Sequence, residues 1–191
     1  IACDYLLQKM EQDQKVSTVT ASTPNCIGFG PIERERAGEQ FVDVGIQEQH
    51  AVSMIAGLAK NGCKPVFATN CTFYQRAYDQ IEQELCINRL PATMIVTHAS
   101  VMGHTNVTHV GLLDMALLGN IPGLTYLAPT NKEEYIAMLD WSLEQRQGPV
   151  AIRVPWHGVY HAAGPVDTDY GTVKYSVARE GGKVAILALG G

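Results

Sequence analysis

The chain has 191 residues, a hydrophobic fraction of 46% and a formal net charge of -5 at pH 7; this suits one domain with a sizeable core and, without a basic run, excludes a nucleic-acid or anionic-membrane partner. No apolar stretch reaches the roughly 18 residues of a spanning helix, and no export signal opens the sequence. The five cysteines, Cys3, Cys26, Cys63, Cys71 and Cys86, are scattered and lack C-x-x-C spacing, so they read as reduced thiols of a cytoplasmic protein.

In chain order, Tyr5 to Met10 reads as the end of a helix and Lys15 to Thr20 as a first strand. A polar connection to Gln40 carries the cluster Glu33-Arg34-Glu35-Arg36, a solvated loop or short helix face. Phe41, Val42 and Val44 suit a buried second strand, and Gly45 permits a sharp exit from it. From His50 on, Ala51, Ile55 and Ala59 recur every four residues until Asn61-Gly62 ends a helix. Glu48 is thereby held where a strand's carboxyl end meets a helix start, the place where open α/β sheets bind ligands. Its plainer role is to favour the positive end of the helix dipole.

Lys64 to Ala68 is a third strand, Thr72 stands at a helix cap, and Tyr74, Tyr78, Ile81 and Leu85 form the next apolar stripe. Pro91 to Val96 is a fourth strand without a polar face, as a doubly covered sheet requires. The loop from Thr97 to Val110 is long for an α/β connection and holds His98, His104 and His109. Leu112 to Leu118 reads as a short helix and Leu124 to Leu127 as a fifth strand. Thr130 with Glu133 reads as a capping box before a helix buried through Ile136, Leu139 and Leu143, and Val150 to Val154 is a sixth strand. From Trp156 to Gly182 the composition is that of a linker with one irregular hairpin, and Lys183 to Leu189 looks like the first strand of another domain. The expected architecture is α/β, a mostly parallel sheet with helices on both faces. The expected division is a domain over 1–160, a linker over 161–182 and a truncated further domain from 183. A start without methionine and a stop just after a strand are what a piece of a longer chain would show.

The stretches GIQEQHAVSMIAGLAKNGCKPVF, TFYQRAYDQI, THVGLLD and APTNKEE, in that order, resemble the pyrimidine-binding domain of the transketolase-type thiamine-diphosphate enzymes, and within them the 1-deoxy-D-xylulose-5-phosphate synthases. The resemblance runs from about Tyr5 to Gly191. It implies a Rossmann-like three-layer fold, thiamine diphosphate as cofactor, and Glu48 as the carboxyl group hydrogen-bonded to the aminopyrimidine ring. Such a carboxyl works best in a dry pocket that raises its pKa. By the same resemblance Ile46 packs on the pyrimidine, Phe73 stacks on it, Arg76 lies beside the cofactor, and His109 faces the reacting carbon. From the residues alone, Phe73 is equally a core aromatic at a helix start, and Arg76 a surface arginine paired with a neighbouring acid. His104 and His109 lack the one-turn register of a helical metal pair. The family's magnesium and diphosphate pattern, G-D-G with a later asparagine, is absent, so that half of the site is expected on a domain outside this chain.

Four departures from the synthase pattern cluster on the substrate side. His98 and Trp156 stand where the family has arginines, Asn70 replaces a tyrosine, and Thr105 an aspartate. The sequence between Arg89 and Lys132 holds no cation, although a phosphorylated sugar calls for arginine forks. Three readings follow: a synthase-like condensation of a 2-oxo acid (pyruvate) with an aldehyde acceptor, a transketolase moving a ketol unit from a ketose donor, and a non-catalytic homologue. Small-molecule substrates and a homodimer or partner subunit are implied. If the synthase reading holds, its product feeds isoprenoid, thiamine and pyridoxal precursors.

Overall fold

The computed structural model describes residues 1–100, 107–156, 160–172, 175, 177 and 179–190. Its elements are α1 (Ala2–Gln12), β1 (Val16–Thr20), α2 (Pro31–Ala37), β2 (Phe41–Asp43), α3 (Glu48–Lys60), β3 (Lys64–Asn70), α4 (Tyr78–Gln80), β4 (Thr93–Ala99), α5 (Asp114–Leu118), β5 (Thr125–Leu127), α6 (Lys132–Glu144) and β6 (Val150–Pro155). The strands form one sheet in the order β2-β1-β3-β4-β6-β5, every neighbouring pair parallel.

Alternate residues of the central strands feed two separate cores, one on each face, as the two-residue repeat of a strand demands. Phe67 of β3, Met94 and Val96 of β4 and Ala151 of β6 pack with Ile55 of α3 and with Ile81 and Leu85. Val66 and Ala68, Ile95, Val150 and Ile152 turn the other way, onto Leu6 and Met10 of α1 and Leu139 of α6. The buried face of α3 is Ala51, Val52, Ile55, Ala56 and Ala59, the stripe read from the sequence. Gly62, at φ +82, ends that helix.

Several expectations need correction. β2 is an edge strand paired only with β1, its Phe41 and Val42 half-buried and Asp43 exposed; apolar composition does not encode position in a sheet. β4 runs to Ala99 rather than ending at Val96, which places His98 in the strand and not in the following loop. The helix after β3 is compound: a tight 3₁₀ run over Cys71–Ala77, one α turn at α4, then wide π turns over Ile81–Cys86. Thr72 does not cap it; its hydroxyl is buried with no partner among the described residues. The N-cap position falls to Asn70, whose side-chain oxygen is engaged across the sheet by the Thr97 hydroxyl at 3.2 Å.

The capping box of α6 sits one residue later than expected. Asn131 Oδ1 accepts from the Glu134 amide at 2.8 Å, and the Glu134 carboxylate accepts from the Thr130 amide at 2.7 Å. Glu133 is taken instead by the Ala162 amide and by His161 Nδ1, each at 2.7 Å. Those contacts hold the segment after β6 against α6, where Tyr170 is buried with its ring 6.0 Å from that of Trp141. No hairpin forms among the described residues of that segment, and Lys183 to Leu189 pairs with no strand. No helix of the described residues is long and apolar enough to cross a membrane.

Ile55 is fully buried between α3 and the sheet, so its truncation leaves a cavity that neighbouring side chains cannot fill. Ile55→Ala is expected to cost about 3 kcal/mol, read as a lower denaturation midpoint with an unchanged slope in chemical unfolding.

Candidate functional site

All six strands point their carboxyl ends to one edge, and the sequence-predicted residues gather there in two groups. The first is built at the turn from β2 into α3. Asp43 Oδ1 accepts from the Ser22 amide at 2.9 Å and the Gly45 amide at 3.0 Å, and Gly45 adopts φ +74, a backbone that an L side chain resists. The turn delivers Glu48 into the first turn of α3, where its carboxylate is only 2% exposed. Arg76 Nη1 donates to Glu48 Oε2 at 2.7 Å. Oε1 accepts no hydrogen bond from the described residues.

A buried carboxylate is costly unless paired. One guanidinium and the helix N-terminus offset part of that cost, so the dipole alone does not account for Glu48. Arg76, half-exposed, comes from the 3₁₀ run, and its pairing with a neighbouring acid turns out to be with Glu48 itself. Ile46, just before α3, is 68% exposed. Phe73 meets the edge of His109 with ring centroids 5.2 Å apart at 82°. The Thr108 hydroxyl lies 2.7 Å from His109 Nδ1, a contact in which either atom can donate.

The second group lies at the ends of β4 and β6. β4 shifts register between Val96 and Ala99, and His98 and Ser100 adopt φ of +55 and +82. Such strain persists where surrounding contacts hold it, and a bulge re-aims a side chain. Here the Ser100 amide donates to Gly111 O at 2.7 Å, the Trp156 amide to Ala99 O at 3.1 Å, and the Cys71 thiol to His98 O at 3.3 Å. Burial, followed by the nearby Asp114 carboxylate, pushes the Cys71 thiol up to about 11, so it stays a protonated donor. The His98 ring lies against Trp156, centroids 4.5 Å apart, and its Nδ1 is 2.9 Å from the Thr97 hydroxyl. Burial, and then the proximity of His109, lower the His98 pKa, which keeps the imidazole neutral at neutral pH.

What sequence reasoning missed is the clamp beneath this group. Arg153 Nε donates to Asp114 Oδ2 at 2.7 Å, both residues buried, and the Tyr126 hydroxyl donates to the same oxygen at 2.7 Å. Arg153 Nη2 also reaches Gly111 O at 3.5 Å. The clamp ties β6, α5 and β5 to the segment carrying His109. Its two charges lie in the THVGLLD stretch and the sixth strand, 39 positions apart, and no local pattern joins them.

Glu48 fits the carboxyl that an aminopyrimidine requires, since it is buried, paired through one oxygen only and flanked by an exposed Ile46. Among the described residues no cluster of His, Cys, Asp or Glu could hold a metal ion. His104 and Thr105 lie outside the described residues.

The family model for the transketolase pyrimidine-binding domain matches residues 6–158. Among curated proteins, a 1-deoxy-D-xylulose-5-phosphate synthase of Clostridium acetobutylicum is 36% identical over 97% of this chain and 30% of its own length. Another, from Alkaliphilus oremlandii, is 39% identical over 100% of this chain and 30% of its own length. The chain thus spans about a third of the length of these relatives. Two solved structures share the fold: a split-gene transketolase described as an inactive β4 tetramer, at TM-score 0.69 and 22% identity over 92% of this chain and 54% of that one, and a transketolase from Leishmania mexicana, at TM-score 0.70 and 18% identity over 80% and 24%.

A Cβ added to Gly111 would meet His98 O at 2.3 Å and Ala99 Cα at 2.8 Å, backbone atoms that cannot swing aside. Gly111→Ala is therefore expected to lower unfolding stability by about 1–3 kcal/mol and to shift the imidazole resonances of both His98 and His109 in NMR spectra. Unmoved resonances would mean that the segment is not held by this fit.

Proposed function

The chain belongs to the transketolase pyrimidine-binding-domain family, and on that footing we propose that it supplies the pyrimidine half of a thiamine-diphosphate site in a transferase of the transketolase and deoxyxylulose-phosphate synthase group. The reading that the site supports best is condensation of pyruvate with an aldehyde after decarboxylation. The observation that carries it is the buried carboxylate of Glu48 at the carboxyl edge, held by Arg76.

The cofactor, when bound, supplies a thiazolium carbon acidic enough to act as a nucleophile. Glu48 holds a hydrogen bond, and in its acid form a proton, at the pyrimidine nitrogen, favouring the imino tautomer of the ring. Arg76 keeps the carboxylate aimed, and so acts as a positioning residue. Phe73 and Ile46 hold the faces of the pyrimidine and exclude water from it. His109, on the edge of Phe73, donates or accepts a proton at the substrate oxygens.

The sequence lacks the G-D-G pattern with a later asparagine, and we assign the diphosphate and magnesium half of the assembly to another domain or to a second subunit. Ile46, Leu112, Leu113 and Met115 are each at least 45% exposed beside the site, which suits a covering partner such as a second copy in a homodimer. Residues 161–182 then form a linker, and Lys183 onward a strand that pairs only within a further domain, in keeping with the exposure of Val184, Ile186 and Leu187. The setting is the cytoplasm. Ketol transfer between sugars is the second reading, favoured by His98 and Trp156 standing together where synthase arginines are expected.

The test is release of labelled carbon dioxide from pyruvate by the full-length gene product with magnesium and thiamine diphosphate, with and without glyceraldehyde 3-phosphate. Release stimulated by an aldehyde acceptor is the expected result, whether glyceraldehyde 3-phosphate or an uncharged aldehyde in its place; activity on ketose donors alone would select the transketolase reading. In the same protein, Glu48→Ala is expected to slow exchange of the cofactor's C2 proton by about 10²–10⁴-fold. Unchanged exchange would remove Glu48 from the role.

A further inference from the structure

Beside the second group lies a cavity of about 510 Å³, bounded by the ends of β4 and β6 and reaching towards α1 and α6. Its walls include Ile27, Val154, Pro155 and Trp156, with Thr97 and His98 at the side nearest His109. Among the described residues, none of its lining side chains is Lys, Arg, Asp or Glu. The two arginines nearest the site in function are already engaged, Arg153 by buried Asp114 and Arg76 by buried Glu48. A phosphate placed here would lose its water and gain no cation in return, a loss that arginine forks exist to prevent. An uncharged tail meets the opposite balance, because in a lining of mixed polarity Ile27, Val154, Pro155 and a partly exposed indole gain by being covered.

We propose that this cavity receives the uncharged, mainly apolar tail of the aldehyde acceptor, with the Trp156 indole as its principal contact and His98 as the divider between the cavity and His109. The proposal rests on the thiamine reading of the site and names the substrate class it serves. His98 lines the cavity and also lies against Trp156, so a molecule seated on the indole keeps its far end beside the imidazoles. The left-handed backbone at His98 holds that divider in place, and its Nδ1 is anchored 2.9 Å from the Thr97 hydroxyl.

The experiment uses the full-length protein with thiamine diphosphate and magnesium, and two unreactive probes titrated by calorimetry, benzyl alcohol and glycerol 3-phosphate. Benzyl alcohol is expected to bind at least about tenfold more tightly, Trp156→Ala to remove most of that advantage, and Trp156→Phe to keep it. With aldehydes, Trp156→Arg should move the ratio of kcat/KM for glyceraldehyde 3-phosphate over benzaldehyde upward by about tenfold or more. Equal or tighter binding of glycerol 3-phosphate would overturn the proposal, as would benzyl alcohol binding that neither variant changes, or absence of binding because another domain fills the cavity. C2-proton exchange in the wild-type protein separates the two ideas: its absence sinks the thiamine reading, whereas exchange with the wrong probe preference sinks only the cavity assignment.

Discussion

The parallel ladder constrains everything else in this molecule. Each strand must be left and re-entered by a crossover, so all six carboxyl ends open on one edge and the connecting turns crowd there. β1 sends the chain to the edge strand β2 while β3 sends it the other way to β4, which makes the gap between them a topological switch point. The hydroxyls of Thr20, Thr23 and Thr69 close that gap with contacts of 3.2 and 3.0 Å, so the strand ends keep a fixed spacing. The loops that carry chemistry are positioned by this edge and do not need to be rigid in themselves.

Two polar arrangements on that edge differ in kind. Arg153 and Asp114 are both buried, and their Coulombic gain is set against a large desolvation cost, so the pair adds little net stability while fixing which elements meet. Tyr126 adds a second donor to Asp114 Oδ2, yet Oδ1 is left without a partner among the described residues. Glu48 and Arg76 are asymmetric, a 2% exposed carboxylate against a guanidinium about half in solvent. The first arrangement belongs to the scaffold, and the second leaves one carboxylate oxygen available to a ligand. Stored backbone strain at His98 and Ser100, of order 1–3 kcal/mol each, sits between the two and is held by Gly111 and Cys71.

The layered α/β fold was legible because its signals are periodic. Val66 and Phe67 face opposite ways by the strand repeat, and Ala51, Ile55 and Ala59 share a face by the helical one. Position within the sheet was not legible: Phe41 and Val42 read as interior and lie at the edge, since burial of a strand is decided by what pairs with it. Ambiguous short patterns also failed. Thr130-x-x-Glu133 and Asn131-x-x-Glu134 both satisfy a capping box, and the choice depends on His161 and Ala162 claiming Glu133 from far along the chain. In the site, Glu48 was visible from the strand-to-helix junction, whereas its pairing with Arg76 and the contact of His98 with Trp156 join residues 28 and 58 positions apart. No local pattern carries such pairs.

The separation of those two contacts bears on how substrate and chemistry can change independently. Glu48, Arg76 and Phe73 stand on α3 and the 3₁₀ run after β3, while His98 and Trp156 stand at the ends of β4 and β6. The two groups rest on different elements and touch through His109, which meets Phe73 on one side and lowers the His98 pKa on the other. Their coupling is confined to that one imidazole, and residues that do not share it respond to substitution nearly additively. A change of charge at His98 or Trp156 therefore leaves the carboxylate and its guanidinium in place, so one group on this edge can be rewritten while the other is kept.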